Sequence, residues 1–399
     1  MHQRNRIPEL DGLRTWMIFL VSWYHIWQQS WLHPGIGSLS LDFLVRSGYI
    51  WVDGTILLSS FLLFLPYARH GAGEGPMPDP RQFYLRRVRR ILPSYYFILL
   101  LVLFGIALPW HLYGGNGPYL VKDLATHFTF TFPFFYDTYV ATPLGAASWT
   151  LAIEVQAYLL FPLLGRCALR RPAVTLVSMA LVTFGFRAWC LWGLQDYTMV
   201  VNQLLNFGDV YALGMAAAFA YVRLDKAYNA LKAQKKRRLL WESAATVLFF
   251  LVIWGMLRLL RIQASSSSYP EIQARQMTLR PAFAVGFAGL TLCCSFCLLP
   301  LRRLLGNGIT RFLAGLSMNY YLIHQTIIVH MKRIGFPPSV SDSPNTAGEQ
   351  PWQIQYTLLA FGLSFLAALL ITYGVEKPAG RWLERKFSSP SSSSGASSR

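Results

Sequence analysis

The first apolar stretch of the chain holds two ionisable residues, Arg14 and, eleven positions on, His25. Eleven residues make close to three helical turns, so both side chains share one helix face about 16 Å apart along the axis and cannot touch. Arg14 falls at the boundary of the stretch, with Asp11 one turn earlier as its expected partner. His25 falls near the middle of a hydrocarbon core about 30 Å thick. Ionisable groups in lipid are costly, so each is a candidate functional group; a snorkelling arginine and a packed histidine are the plain alternative. Ahead of the third apolar stretch, Arg86, Arg87, Arg89 and Arg90 crowd four guanidinium forks into five positions. Such forks suit phosphate or pyrophosphate, and an anchor on anionic lipid is the other reading.

Glu154 lies in an otherwise apolar run behind Trp149, which fits an interfacial belt. A carboxylate there needs a partner or a proton, and a buried histidine is an obvious partner. His324 is a second intramembrane histidine, while His330 reads as interfacial. There is no P-loop, GxSxG elbow or HExxH pair, so any site must be assembled from separate helices. The five cysteines have no metal-like partners nearby and form neither a disulfide framework nor a zinc site, and no metal is expected.

Such side chains need a rigid scaffold in lipid. The chain has 399 residues, 54% hydrophobic and only 14% charged, against about a quarter charged in an ordinary soluble protein. Apolar runs near bilayer length recur at 13–32, 49–66, 92–110, 148–165, 172–193, 204–222, 241–261, 281–301, 314–332 and 355–375. The reading is an all-α, polytopic transmembrane bundle of about ten spans, one domain over residues 1–387. Residues 388–399, nearly all Ser, Pro, Gly and Ala, read as a disordered tail. The aromatic segment 111–147 lies on the membrane surface or folds back into the bundle. The net charge of +18 sits in short loops, which encodes orientation rather than nucleic-acid binding. Most Lys and Arg fall on one side when the N-terminus is cytoplasmic, so both termini are expected there.

Taken in order, these features resemble the acyltransferase family 3 membrane proteins. The series runs Glu9-Leu10-Asp11-Gly12-Leu13-Arg14 with ten residues before His25, then Val52-Asp53 to Ser59-Ser60-Phe61-Leu62. It continues through Phe83 to Pro93 with Arg86, Arg87 and Arg90, then Ser148-Trp149 to Glu154, Tyr158 and Pro162. Leu322-Ile323-His324 and Glu376-Lys377-Pro378 close it. The family has Ser-Gly-Phe-Leu where this chain has Ser59-Ser60-Phe61-Leu62, and aromatics at Thr55 and Ile56. Ser is small enough for a close helix approach at residue 60.

The resemblance implies an O-acyltransferase of the cell membrane, bacterial and cytoplasmic by kinship. It would move an acyl group, by kinship acetyl, from acyl-CoA as co-substrate to a hydroxyl of a glycan or lipid-linked sugar. No bound cofactor is implied. Arg14, Arg86, Arg87 and Arg90 would engage the donor. His25 would act as general base or transient acyl carrier, with Glu154 orienting it and His324 as a second candidate. Asp11, Asp53, Ser59, Trp149 and Tyr158 would support them. An appended extracytoplasmic hydrolase-like domain, found in some relatives, is not expected after residue 375. The alternative is a transporter of an envelope precursor, since carriers also hold intramembrane charges; neither inverted repeats nor paired broken helices favour it.

Overall fold

Backbone groups facing lipid find no water, so apolar stretches of this length satisfy their hydrogen bonds internally as helices. The computed structural model describes residues 6–145 and 148–387; the predicted Ser-rich tail at 388–399 lies outside the described residues. The described residues form ten long helices: α1 (Glu9–Ser30), α2 (Trp51–Gly71), α3 (Pro80–Val102), α4 (Trp149–Arg170), α5 (Pro172–Gly193), α6 (Gly208–Ala230), α7 (Lys235–Ala264), α8 (Tyr269–Cys293), α9 (Gly308–Arg333) and α10 (Gln350–Ile371). Each overlaps one predicted stretch. The only described sheet is a two-residue hairpin pairing Gly35–Ile36 with Leu39–Ser40.

Seven of the predicted spans belong to helical stretches long and apolar enough to cross a membrane. The other three, 13–32, 281–301 and 314–332, are helices α1, α8 and α9, but too polar to meet that description on composition. The reason is where their polar groups go. Arg280 of α8 and Ser317, Asn319 and His324 of α9 are buried between helices, so these elements spend their polarity on the interior. By contrast, the most apolar windows of α5 and α7 are each only 17% buried, against 72% for that of Gly48–Gly71. The first two present apolar side chains outward, as lipid contact requires, and α2 forms the centre.

The centre is closely packed. α2 lies on α6, where Ser60 Oγ donates to the Tyr211 carbonyl at 2.7 Å. A Cβ added at Gly214 would come within 2.7 Å of the Leu57 carbonyl oxygen and of Ser60 Cβ, which bears out the close approach expected at residue 60. α1 and α9 run parallel in contact: Thr15 Oγ1 reaches the Thr310 carbonyl, Ser22 Oγ meets the Tyr320 hydroxyl, and Lys332 Nζ donates to the Gln29 carbonyl.

Two buried ion pairs tie helices together, one joining α8 to the distant α2 and one joining the consecutive α5 and α6. Arg280 Nε donates to Asp53 Oδ2 at 3.0 Å, and its guanidinium lies 4.1 Å from the Phe207 ring centroid. Arg187 grips Asp209 through both terminal nitrogens, at 2.8 and 2.7 Å, and donates Nε to Asn206 Oδ1. Pairing is what makes such charges tolerable without water.

Local signals set the helix ends. Asp79 caps α3, accepting from the Arg81 and Gln82 amides, and Pro80 fills the first position. α3 therefore begins twelve residues before the predicted stretch at 92–110, and the Arg86–Arg90 run lies within the helix rather than in a loop ahead of it. Hydropathy registers only the apolar part of a helix. Of the segment 111–147, residues 111–145 fold back as a short helix, Gly117–Phe128, followed by single helical turns at Phe132–Phe134 and Tyr136–Tyr139. This helix buries an Asp123–His127 pair one turn apart, with Tyr113 and Thr142 donating to Asp123 Oδ2. On its exposed side Lys122 bonds Asp137 and holds that carboxyl below the usual range.

Candidate active site

Helical spacing sorts the arginine run of α3 into two directions. Arg87 and Arg90, three apart, line a half-open cavity of about 160 Å³ together with Arg14 of α1, Ser59 of α2, Glu154 and Tyr158 of α4, and Tyr321 of α9. Arg86, Arg89 and again Arg90 line a wider groove of about 610 Å³, whose far wall is Glu376, Lys377, Arg381 and Glu384. Arg90 stands where the two meet. Four expected donor residues thus converge from two helices, and the cavity and groove share one of them.

Inside the cavity the charge is unbalanced. None of Arg14, Arg87 and Arg90 is in an ion pair with a described carboxylate, whereas Arg89 reaches Glu384 at 3.8 Å. Arg87 instead lies over the rings of Phe83 and Tyr158, 5.0 and 5.6 Å from their centroids. Glu154 is the one acidic residue on the wall, and both its oxygens are engaged. Ser59 Oγ donates to Oε1 at 2.9 Å and the Tyr158 hydroxyl to Oε2 at 2.7 Å. Three guanidinium groups around one carboxylate leave room for an anion, as desolvated arginine forks favour.

The two histidines lie beyond this cavity. His25 and His324, from the parallel helices α1 and α9, face each other with ring centroids 5.2 Å apart. Tyr321 connects the two places. Its side chain lines the cavity, its ring lies 5.6 Å from that of His324, and its carbonyl meets His324 Nδ1 at 2.7 Å. A carbonyl only accepts, so a neutral His324 carries its proton on Nδ1 and leaves Nε2 as a lone pair, buried and without a described partner. His25 is arranged alike. The Gln28 amide donates to the Tyr24 hydroxyl and turns its oxygen to His25 Nδ1 at 3.1 Å. Both imidazoles are thus fixed through Nδ1 and keep Nε2 free, the arrangement a general base requires.

Two expected pairings are not made. Glu154 is held by Ser59 and Tyr158 rather than by His25. Asp11 accepts from Arg6 at 2.6 Å rather than from Arg14, because the chain before α1 turns back over its first turn. His25 lies sixteen positions into the 22 residues of α1. Among the supporting residues, Ser59 and Tyr158 line the cavity. Asp53 is spent on Arg280, and Trp149 packs near Phe207 with centroids 6.2 Å apart. Glu376 accepts from Asn319 Nδ2 at 2.6 Å.

Sequence reasoning missed Tyr321, Thr150 and Ser317 on the cavity wall. Only the i, i+3, i+4 stripe through Ser317, Tyr321 and His324 could have pointed to the two on α9, and Thr150 on α4 had no such signal. Among the described residues no cluster suited to a metal ion occurs.

The helices and this site define a multi-pass membrane protein with an arginine-lined cavity next to a paired imidazole site. The family model for the acyltransferase domain matches residues 7–375. The chain belongs to the acyltransferase 3 family. It is 29% identical over 205 residues to O-acetyltransferase OatA of Staphylococcus aureus, covering 46% of this chain and 30% of that protein. It is 26% identical over 175 residues to peptidoglycan O-acetyltransferase OatA of Listeria monocytogenes, covering 40% and 24%. YrhL of Bacillus subtilis is 30% identical over 162 residues, covering 39% and 23%. The matches thus span between a quarter and a third of these relatives, or slightly less. No solved structure matches the chain.

Proposed function

We propose that this protein transfers an acyl group, acetyl by kinship with the O-acetyltransferases, from acyl-CoA to a hydroxyl of a cell-envelope glycan. The observation that carries this reading is the convergence of Arg14, Arg87 and Arg90 on one cavity with a single, fully engaged carboxylate. A coenzyme A thioester brings phosphate and pyrophosphate charge on one end and a slender, mostly neutral arm on the other. The groove of Arg86, Arg90, Lys377 and Arg381 suits the phosphates, Arg89 on the same wall being paired with Glu384, and the narrower cavity suits the arm. The arm then runs past Tyr321 toward the imidazole pair.

His25 Nε2 takes the proton of the acceptor hydroxyl as its oxygen attacks the thioester carbonyl. The carbon–sulfur bond breaks, an ester forms, and the coenzyme A thiolate recovers the proton from the imidazolium. His324, 5.2 Å away, is the second base in reach. Glu154 acts on the donor side, where it limits the positive charge around Arg14 and fixes the Tyr158 ring under Arg87. In this reading the arginine face is cytoplasmic, both termini lie on that side, and the membrane is the bacterial cytoplasmic membrane.

Purified protein in lipid nanodiscs, given radiolabelled acetyl-CoA, tests the proposal. Saturable binding that falls when both Arg87 and Arg90 are replaced by Ala supports it. Binding that is absent, or indifferent to those arginines, contradicts it.

A further inference from the structure

The stripe of α9 that lines the arginine cavity continues past it. Gln325, Thr326, Val329, His330 and Arg333 line a second cavity of about 190 Å³, closed by Val102 and Ile106 at the end of α3 and by Thr142 and Pro143 of the connecting segment. Positions 318, 322, 325, 329 and 333 recur at helical spacing, so the two cavities lie end to end along one face of α9. From Ser317 to Arg333 that face extends about 24 Å. The first cavity carries three guanidinium groups; the second carries one, Arg333, at its far end, with the Gln325 amide, the Thr142 and Thr326 hydroxyls and His330 on an otherwise apolar wall. Gln325 follows His324 directly, so the inner end of the second cavity lies at the depth of the histidine pair.

Two polar atoms of residues lining this second cavity are buried without a described partner, Gln325 Oε1 and His330 Nδ1. Gln325 Oε1 can only accept, and buried acceptors are costly to leave unpaired. An acyl chain or lipid tail would leave it so, whereas a hydroxyl-bearing ligand would donate to it. The Trp110 ring stands edge-on to His330, centroids 5.5 Å apart, and is 46% exposed. It supplies an apolar face of the kind that ring C–H groups pack against.

We infer that this cavity is the acceptor subsite and holds one hydroxyl-rich sugar ring, with Gln325 and Thr326 orienting it and Trp110 at its rim. The inference rests on the acyl-transfer reading. A sugar seated here presents a hydroxyl at the depth of His25 and His324, while the donor arm arrives from the arginine side. Gln325 and Thr326 are therefore positioning residues that govern acceptor affinity and leave donor binding alone.

The test uses the full chain in nanodiscs with acetyl-CoA and three soluble probes: a peptidoglycan disaccharide, an N-acetylglucosamine oligomer and maltotetraose. Free thiol release is followed with each. The expected result is that at least one sugar accelerates release. Gln325→Leu and Thr326→Ala then each raise its KM about tenfold or more, leaving kcat and acetyl-CoA affinity within about twofold, and the milder Gln325→Asn falls between. Unchanged donor affinity also shows that the variants are folded. An unchanged KM overturns the assignment of the cavity. Donor binding with no sugar able to discharge it overturns the sugar class while sparing the donor reading, and absence of donor binding defeats the parent reading instead.

Discussion

Arg90 is the residue whose removal separates donor recognition from a generic attraction to anionic lipid. It borders both the narrower cavity and the wider groove, and it has no ion-pair partner among the described residues. A phosphate group there gains a charge-assisted hydrogen bond worth about 1.5–3 kcal/mol. At 1.4 kcal/mol per factor of ten, Arg90→Ala should weaken acyl-CoA binding by about 10- to 150-fold. Arg89 supplies the control. It carries the same charge one residue away, but it faces the groove alone and already reaches Glu384 at 3.8 Å. The Glu384 carboxylate is 66% exposed, and a pair screened by solvent on one side contributes at most about 1 kcal/mol, so Arg89→Ala should cost no more than about fivefold. Arg90→Lys keeps the charge and loses the fork, and should lie between. Equilibrium binding of a non-transferable acyl-CoA thioether to detergent-purified protein gives all three numbers. Equal losses at positions 89 and 90, or an Arg90→Ala protein within twofold of the wild type, would refute the reasoning.

Three further outcomes follow from packing and pairing. Asp53→Ala strands Arg280 in the interior and should cost about 3–5 kcal/mol, read as a fall in thermal unfolding temperature in detergent; adding Arg280→Met should restore most of it, and no recovery would contradict the pairing account. Gly12→Ala would drive a Cβ to 2.2 Å from the Leu305 carbonyl oxygen, costing about 1–3 kcal/mol of overpacking, while Gly255→Ala, with nothing within 4 Å, should be neutral or stabilising in the same assay. Tyr158→Phe removes one of the two donors on Glu154 and should weaken donor binding by less than Arg90→Ala; an equal or larger effect would mean that Glu154, rather than the guanidinium groups, organises the cavity.

Helix positions were legible because hydropathy, length and capping are local properties. All ten long helices overlap their predicted stretches, and the early start of α3 was itself encoded in Asp79 and Pro80. Arg14, Arg87, Arg90, Ser59, Glu154 and Tyr158 were singled out by residue type in apolar surroundings, and they meet at one cavity. Pairing was not legible, because it depends on which helices touch. Asp53 and Arg280 lie 227 positions apart, and nothing near either residue names the other. Glu154 looked for an imidazole in the sequence and found a serine from α2 and its own i+4 tyrosine. The second cavity escaped notice because its amide and hydroxyl groups carry no charge to mark them in an apolar run.

The central claim is that the imidazole pair performs transfer chemistry on a donor held by the arginines. It is tested most directly by quenched-flow measurement of thiol release from acetyl-CoA, with acceptor present, in nanodisc-embedded His25→Ala and His324→Ala proteins. General-base catalysis is worth about 10²- to 10⁴-fold, so His25→Ala should lower the single-turnover rate by that factor while donor affinity stays within twofold of wild type. A His25→Ala protein that turns over at the wild-type rate, or one that loses donor binding in step with its rate, would contradict the account.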